Sequence, residues 1–202
     1  GYVGGRIGNT MMRIVDGLLA MPFLIIVILF REVISGQVDD IARFLIDDWG
    51  WNDNDVLRFA NLIPLTFAIA GFGWLSMGRI VRSSAASLTQ QEFVEAARSL
   101  GLSHRRILFR HILPNMLGPI IIYATLTIPS FILYEATLSY IGLGIEPPNS
   151  SWGKLIQEGA NYLETNITAL AVPAVLFSLT LFAFNFLGDG LRDALDPKAS
   201  KD

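Results

Sequence analysis

Apolar runs alternate with polar stretches along this chain. The runs cover residues 14–30, 61–82, 116–145 and 167–188. About 20 apolar residues at a rise of about 1.5 Å each cross a hydrocarbon core of roughly 30 Å. The first run is just long enough, and Pro22 within it predicts a kink that neighbouring helices must re-satisfy. The third run contains Pro119 and Pro129, and the fourth contains Pro173. The pattern predicts an all-α polytopic protein with four transmembrane helices. Residues 1–13 are glycine-rich. The pairs Gly1/Gly5 and Gly4/Gly8 have the spacing of closely packed membrane helices, and a connector explains them equally well. Residues 31–60 are acidic: Glu32, Asp39, Asp40, Asp47, Asp48, Asp53 and Asp55 stand against Arg31, Arg43 and Arg58. Val38, Ile41, Ala42, Leu45 and Ile46 recur there at helical spacing, with Trp49 and Trp51 following. This predicts a short amphipathic helix lying on a membrane face and anchored by the tryptophans.

One polar stretch, residues 83–114, is dense in local signals. Thr89 and Glu92 have capping-box spacing, and Leu88 and Phe93 stand where a hydrophobic staple would pack. Ala96 and Ala97 are strong helix formers of little bulk. Gly101 is placed for a left-handed position after a helix end, with Leu102 folding back on the last turn. Ser103 can cap a second short helix that runs to about Arg110, and Pro114 marks the next boundary. The stretch reads as two short helices joined at a glycine.

Composition agrees with a membrane protein: the 202 residues are 52% hydrophobic and 16% charged, with mean hydropathy +0.48. A soluble domain of this size carries more charge. The absence of cysteine excludes a disulfide framework, a thiolate zinc site and a cysteine nucleophile. Gly153-Lys154 lacks the upstream glycine of a phosphate-binding loop, and no HExxH or GxSxG occurs. His104 and His111 are the only histidines and have no carboxylate cluster beside them, so no metal site is expected. The chain has no catalytic site of its own and shows no means of binding ATP. Asn149-Ser-Ser151 and Asn166-Ile-Thr168 match a glycosylation pattern.

Arginine placement orients the runs. Arg79, Arg82, Arg98, Arg105, Arg106 and Arg110 fall in one loop with only Glu92 and Glu95, which predicts a cytoplasmic loop. Four spans then put the amino and carboxyl ends inside and residues 31–60 and 146–166 outside. Glu135 is the carboxylate within an apolar run, where a charge needs protein or water beside it. It either lines a pathway for a cationic or zwitterionic solute or packs through a hydroxyl of Thr137, Ser139 or Tyr140. Asp16 is expected to be solvated or paired with Arg13.

Glu95-Ala96-Ala97, Gly101 and His111-Ile112-Leu113-Pro114 together resemble the EAA loop of ABC importer permeases. The His-Ile-Leu-Pro form is similar to that of the dipeptide, oligopeptide and nickel permease branch. Ala136-Thr-Leu-Ser-Tyr-Ile-Gly-Leu-Gly144, Pro147-Pro148 with Ser151-Trp152-Gly153, and Asn185 to Pro197 resemble that branch too, as do Gly1 to Gly5 and Met12 to Asp16. The likeness covers nearly the whole chain except roughly residues 31–60, which are either a lineage-specific loop or a docking surface for a substrate-binding protein.

The resemblance implies a single permease domain over residues 1–202, with one or two amino-terminal helices missing from this sequence. It implies that residues 83–114 are the cytoplasmic coupling loop, seated in a cleft of an ATPase subunit, with Glu95, Ala96, Ala97, Arg98, Gly101, Arg105, Arg106, His111, Leu113 and Pro114 as the contact set. It also implies partners: a second homologous permease, two ATPases that hold ATP and magnesium, and an external substrate-binding protein. No cofactor on this chain and no nucleic acid are expected. Peptides are the expected cargo. Nickel chelates or other small solutes are the alternative, and a channel without an ATPase is a third reading from a different class.

Overall fold

A computed structural model describes residues 5–195. The Gly1/Gly5 and Gly4/Gly8 pairs and the Pro197 end of the last motif fall partly outside them. The described residues form helices and turns, without strands. In chain order these are α1 (Gly5–Leu19), α2 (Phe23–Asp47), α3 (Asp53–Leu88), α4 (Glu92–Ser99), α5 (His104–Ile107), a π-helical segment (Leu108–Ile112), α6 (Leu113–Tyr140), α7 (Trp152–Ala160) and α8 (Ile167–Leu195). Three continuous helical stretches are long and apolar enough to cross a membrane: Asp53–Leu88, His104–Tyr140 and Ile167–Leu195. A fourth span is available if α1 and α2 together count as one broken span.

The first apolar run is therefore not one kinked helix. Pro22 ends α1 and begins α2: it has no N–H to extend the first helix, and it disfavours helical backbone in the residue before it. Its own carbonyl accepts the amides of Ile25 and Ile26 at 3.1 and 3.3 Å, so it serves as the N-cap of α2. The acidic stretch differs as well. Instead of a separate short helix, residues 31–47 continue α2 without a break, because no glycine or proline signal intervenes strongly enough to stop it. The predicted apolar stripe holds except at Ile41, which is 60% exposed. Val38, Leu45 and Ile46 pack around buried Ala42, and the partner surface is Val56 and Ala60 of α3. Trp49 and Trp51 lie in the turn between the two helices and are exposed. Pro64, Pro119, Pro129 and Pro173 all sit within helices.

The chain divides into two compact units. One comprises residues 21–72 and 128–185. Its core is Val27, Leu65, Ala68 and Leu138, flanked by Phe23, Leu24, Ile69 and Leu143. Phe30 meets Phe72 edge to face at 5.2 Å, and Phe23 lies 4.6 Å from Tyr134. α6 ends at Tyr140, and Gly142 just beyond it takes φ 84°. Leu143 N–H donates to the Leu138 carbonyl at 2.8 Å and Gly142 N–H to Ser139 at 3.2 Å, so the last carbonyls of the helix are satisfied. The turn beyond is tied to α2 by Arg31, whose guanidinium reaches Glu146 at 3.2 Å and the Gly144 carbonyl at 3.4 Å. Asn61 and Asn149 add bonds from α3 and the turn, to the Pro147 and Arg58 carbonyls. α7 starts at Ser151, whose hydroxyl accepts the Lys154 amide at 3.2 Å. It packs backbone against backbone: a β-carbon on Gly153 would strike the Ala136 carbonyl, and one on Gly159 the Ala169 carbonyl.

The other unit contains residues 5–20, 73–127 and 186–195 of those described. Asp16 of α1 pairs with Arg79 of α3 at 2.6 Å, not with Arg13. Arg82 donates to the Gly8 carbonyl and to Asn9, each at 2.6 Å. These two arginines fasten α1 along the end of α3. Gly188 of α8 lies against Leu126 of α6. Residues 89–112, between α3 and α6, belong to this unit.

Candidate functional site

Residues 89–112 form a knob of two short helices and a π turn. Its core is Val94 and Ala97 of α4, Ile107 of α5, Ile112 of the π segment, Met116 of α6 and Ala85 of α3. Val94, Ile107 and Ile112 are fully buried, each contributing about 1.5–3 kcal/mol of burial free energy. The knob is thus attached through its own apolar core to the ends of both long helices.

The turn between α4 and α5 is stiff. Gly101 has φ 73°. Its N–H donates to the Arg98 carbonyl at 2.9 Å, and Leu102 N–H donates to Ala97 at 3.2 Å. This is the paired-bond helix end expected from the glycine, with Leu102 packed on the core. The start of α4 differs from expectation. Its N-cap is Gln91, without a side-chain cap, and the Thr89 hydroxyl donates back to Ala86 at 2.7 Å. α3 continues to Leu88, so Thr89 serves the end of that helix and is unavailable as a cap. Leu88 packs into the knob core while Phe93 faces out, which leaves no staple.

Pro114 does not mark a boundary either. α5, the π segment and α6 follow one another without a break, and Pro114 sits near the start of α6, two residues after the π segment. The 104–114 part of the expected loop is therefore continuous with a membrane-crossing helix, and only residues 89–103 interrupt the two helices.

The predicted contact residues divide by burial. Glu95, Ala96, Arg98, Gly101, Arg105, Arg106, Leu113 and Pro114 are exposed, His111 is half-buried, and Ala97 lies under the surface in the core. Close approach by another surface falls to Ala96 alone. Glu92 and Glu95 stand at the positive start of α4 and Arg98 at its negative end, each complementing the helix dipole. The sequence reading passed over Leu100 and Phe109. They are 80% and 64% exposed, so the outer face of the knob carries large apolar groups among its charges. Leu100 precedes the left-handed glycine, and that position was the available signal.

Glu135 is tied to a hydroxyl. Ser139, almost fully buried and one turn along α6, donates to its carboxylate at 2.6 Å and accepts the Ile145 amide at 3.1 Å. Thr137 instead donates to the Leu133 carbonyl at 2.7 Å. Among the described residues, no cluster of three or more histidine or acidic side chains is placed to hold a metal.

Helices long enough to cross a membrane, with a compact two-helix knob between two of them, define a polytopic helical membrane protein. The family model for the binding-protein-dependent transport system inner membrane component matches residues 1–201, and the chain belongs to that family. It is 42% identical to the oligopeptide transport system permease protein OppC of Haemophilus influenzae, over 98% of this chain and 56% of the relative. It is 43% identical to OppC of Escherichia coli K12, over 96% and 57%. The dipeptide transport system permease protein DppC of Bacillus subtilis is 39% identical over 98% and 55%. The chain spans a little over half the length of these relatives.

Proposed function

We propose that this chain is a permease subunit of an ATP-driven importer. It forms half of the transmembrane pathway for peptides and couples that pathway to cytoplasmic ATPases through the knob. The likeness to oligopeptide and dipeptide permeases supports the cargo class. The observation that carries the mechanism is the knob itself: its core is continuous with the ends of α3 and α6, and its outer face presents Glu95, Ala96, Leu100, Arg105, Arg106 and Phe109. A partner that grips this face moves two long helices directly, because no slack segment intervenes.

Under this reading a second homologous permease completes the pathway, two ATPases supply the stroke, and an external binding protein delivers the cargo. ATP and magnesium belong to the ATPases, and this chain holds no cofactor and catalyses nothing. The knob and the carboxyl end face the cytoplasm. The test is co-purification of the full-length subunit from its native membrane, with native sequence and with Glu95→Lys or Gly101→Asp. An ATPase recovered with the native chain and lost with both variants supports the reading. Equal recovery with all three removes the knob from the mechanism, and absence of any ATPase even after crosslinking favours the channel reading.

A further inference from the structure

α1 and the end of α3 enclose two adjoining recesses of opposite character. The first is a polar cleft of about 720 Å³, lined by Asn9, Arg13, Asp16, Arg79, Arg82 and Ser83. The second is an apolar groove of about 370 Å³, lined by Met11, Ile14, Leu18, Trp74, Leu75 and Val81. Met12 and Arg82 line both, so the two recesses meet at these side chains.

The cleft is charged and partly assembled. It holds three guanidiniums against the single carboxylate of Asp16. That carboxylate is engaged by Arg79. Arg82 is held in place by the Gly8 carbonyl and the Asn9 amide oxygen, which fixes its fork without neutralising its charge. Arg13 is exposed and has no ion pair or hydrogen bond among the described residues. The groove beside it leaves Met11, Ile14 and Trp74 more than half exposed.

We infer that this composite recess binds one anionic glycerophospholipid, its phosphate in the arginine cleft and an acyl chain along the Met11–Ile14–Trp74 groove. Charge and continuity choose this occupant. A soluble anion satisfies the guanidiniums and leaves the groove bare. An apolar helix from another protein fills the groove and leaves a net positive cleft beside it. A lipid joins a negative head to an apolar tail across the distance over which the two recesses meet. Arginines at the end of membrane helices attract anionic headgroups by about 1 kcal/mol each, and the apolar half adds burial on top. The inference is independent of the cargo.

The test uses the full-length complex, delipidated in detergent and titrated with phosphatidylglycerol or with phosphatidylcholine of the same acyl chains, the adducts being read by native mass spectrometry. Phosphatidylglycerol is expected to bind about tenfold more tightly than phosphatidylcholine. Arg13→Gln is expected to abolish most of that preference and Arg13→Lys to keep it, and since Arg13 is exposed both variants fold. Equal binding of the two lipids to the native complex overturns the inference, and so does an unchanged preference in Arg13→Gln. Glycerol phosphate in excess is expected not to displace the lipid; displacement assigns the cleft to a soluble phosphate and overturns the lipid. A photoreactive residue at Ile14 is expected to capture phospholipid. Capture of a protein helix there shows the groove to be a protein interface and overturns the inference too.

Discussion

Ile107 and Ile112 are five residues apart, and both are fully buried in the same cluster. In a regular α-helix a step of five turns a side chain well away from its predecessor. The π turn over Leu108–Ile112 absorbs the extra residue, so Ile107, Ile112 and then Met116 all reach the knob core. The same turn leaves Phe109 outside. Such insertions occur often at functional sites, and here one sets which side chains are core and which are contact surface.

These two classes separate in mutants. Ile112→Ala should destabilise the knob by about 2–5 kcal/mol, the usual cost of a large-to-small core change. It should raise amide exchange across residues 92–112. Phe109→Ala removes an exposed ring and should leave that exchange unchanged while weakening recovery of the ATPase. Hydrogen exchange and co-purification, measured on the same preparations, distinguish the two outcomes. Equal exchange in both variants contradicts the burial described above.

Gly101 makes a cleaner case for backbone strain. Nothing lies within 4 Å of a β-carbon built there, so Gly101→Ala meets no collision and its cost is the left-handed φ alone, about 1–2 kcal/mol. Gly101→Asn should cost less than Gly101→Val, because asparagine visits that region and a β-branched residue does not. Thermal unfolding should rank the variants Gly, Asn, Ala, Val. A different order means that the turn adopts another conformation.

Gly153 is the opposite kind of glycine. Its φ is ordinary, but a β-carbon meets the carbonyl of Ala136. Gly153→Ala should therefore push α7 off α6 and cost about 1–3 kcal/mol or more. The check is accelerated protease cleavage in residues 141–166. Gly190→Ala, where the space is open, is the control and should be neutral.

Ser139→Ala should remove the donor to Glu135 and the acceptor for the Ile145 amide together. Leaving the half-buried Glu135 carboxylate and Ile145 amide without this partner costs about 0.5–1.5 kcal/mol each. Ser139→Thr keeps the hydroxyl and should recover part of the loss. By contrast Arg79→Ala breaks a pair whose two side chains are each more than half exposed, and it should change stability by less than about 1 kcal/mol. A melting series of the purified subunit tests both, and a larger effect at Arg79 than at Ser139 would reverse the assignment of which bond is structural.

The sequence by itself determined the helical, membrane-crossing architecture and the two-helix stretch between two spans. Both rest on local rules: run length, and a glycine whose left-handed turn depends only on its neighbours. Gly101 sits where such rules put it, whereas Ser103 stands at the start of α5 without the expected side-chain cap bond, and the helix it opens runs on into α6. The tertiary structure decided what depends on distant partners. It laid the continuation of α2 against α3, where Val38 and Ala42 found Val56 and Ala60 to pack against. It paired Asp16 with Arg79, 63 positions away, and it took Thr89 from the expected cap by extending α3. Burying Ala97 left Ala96 outside, and the π turn put Ile112 under the surface. A side chain's pairing depends on which helix comes to lie beside it, and periodicity along one segment carries no information about that.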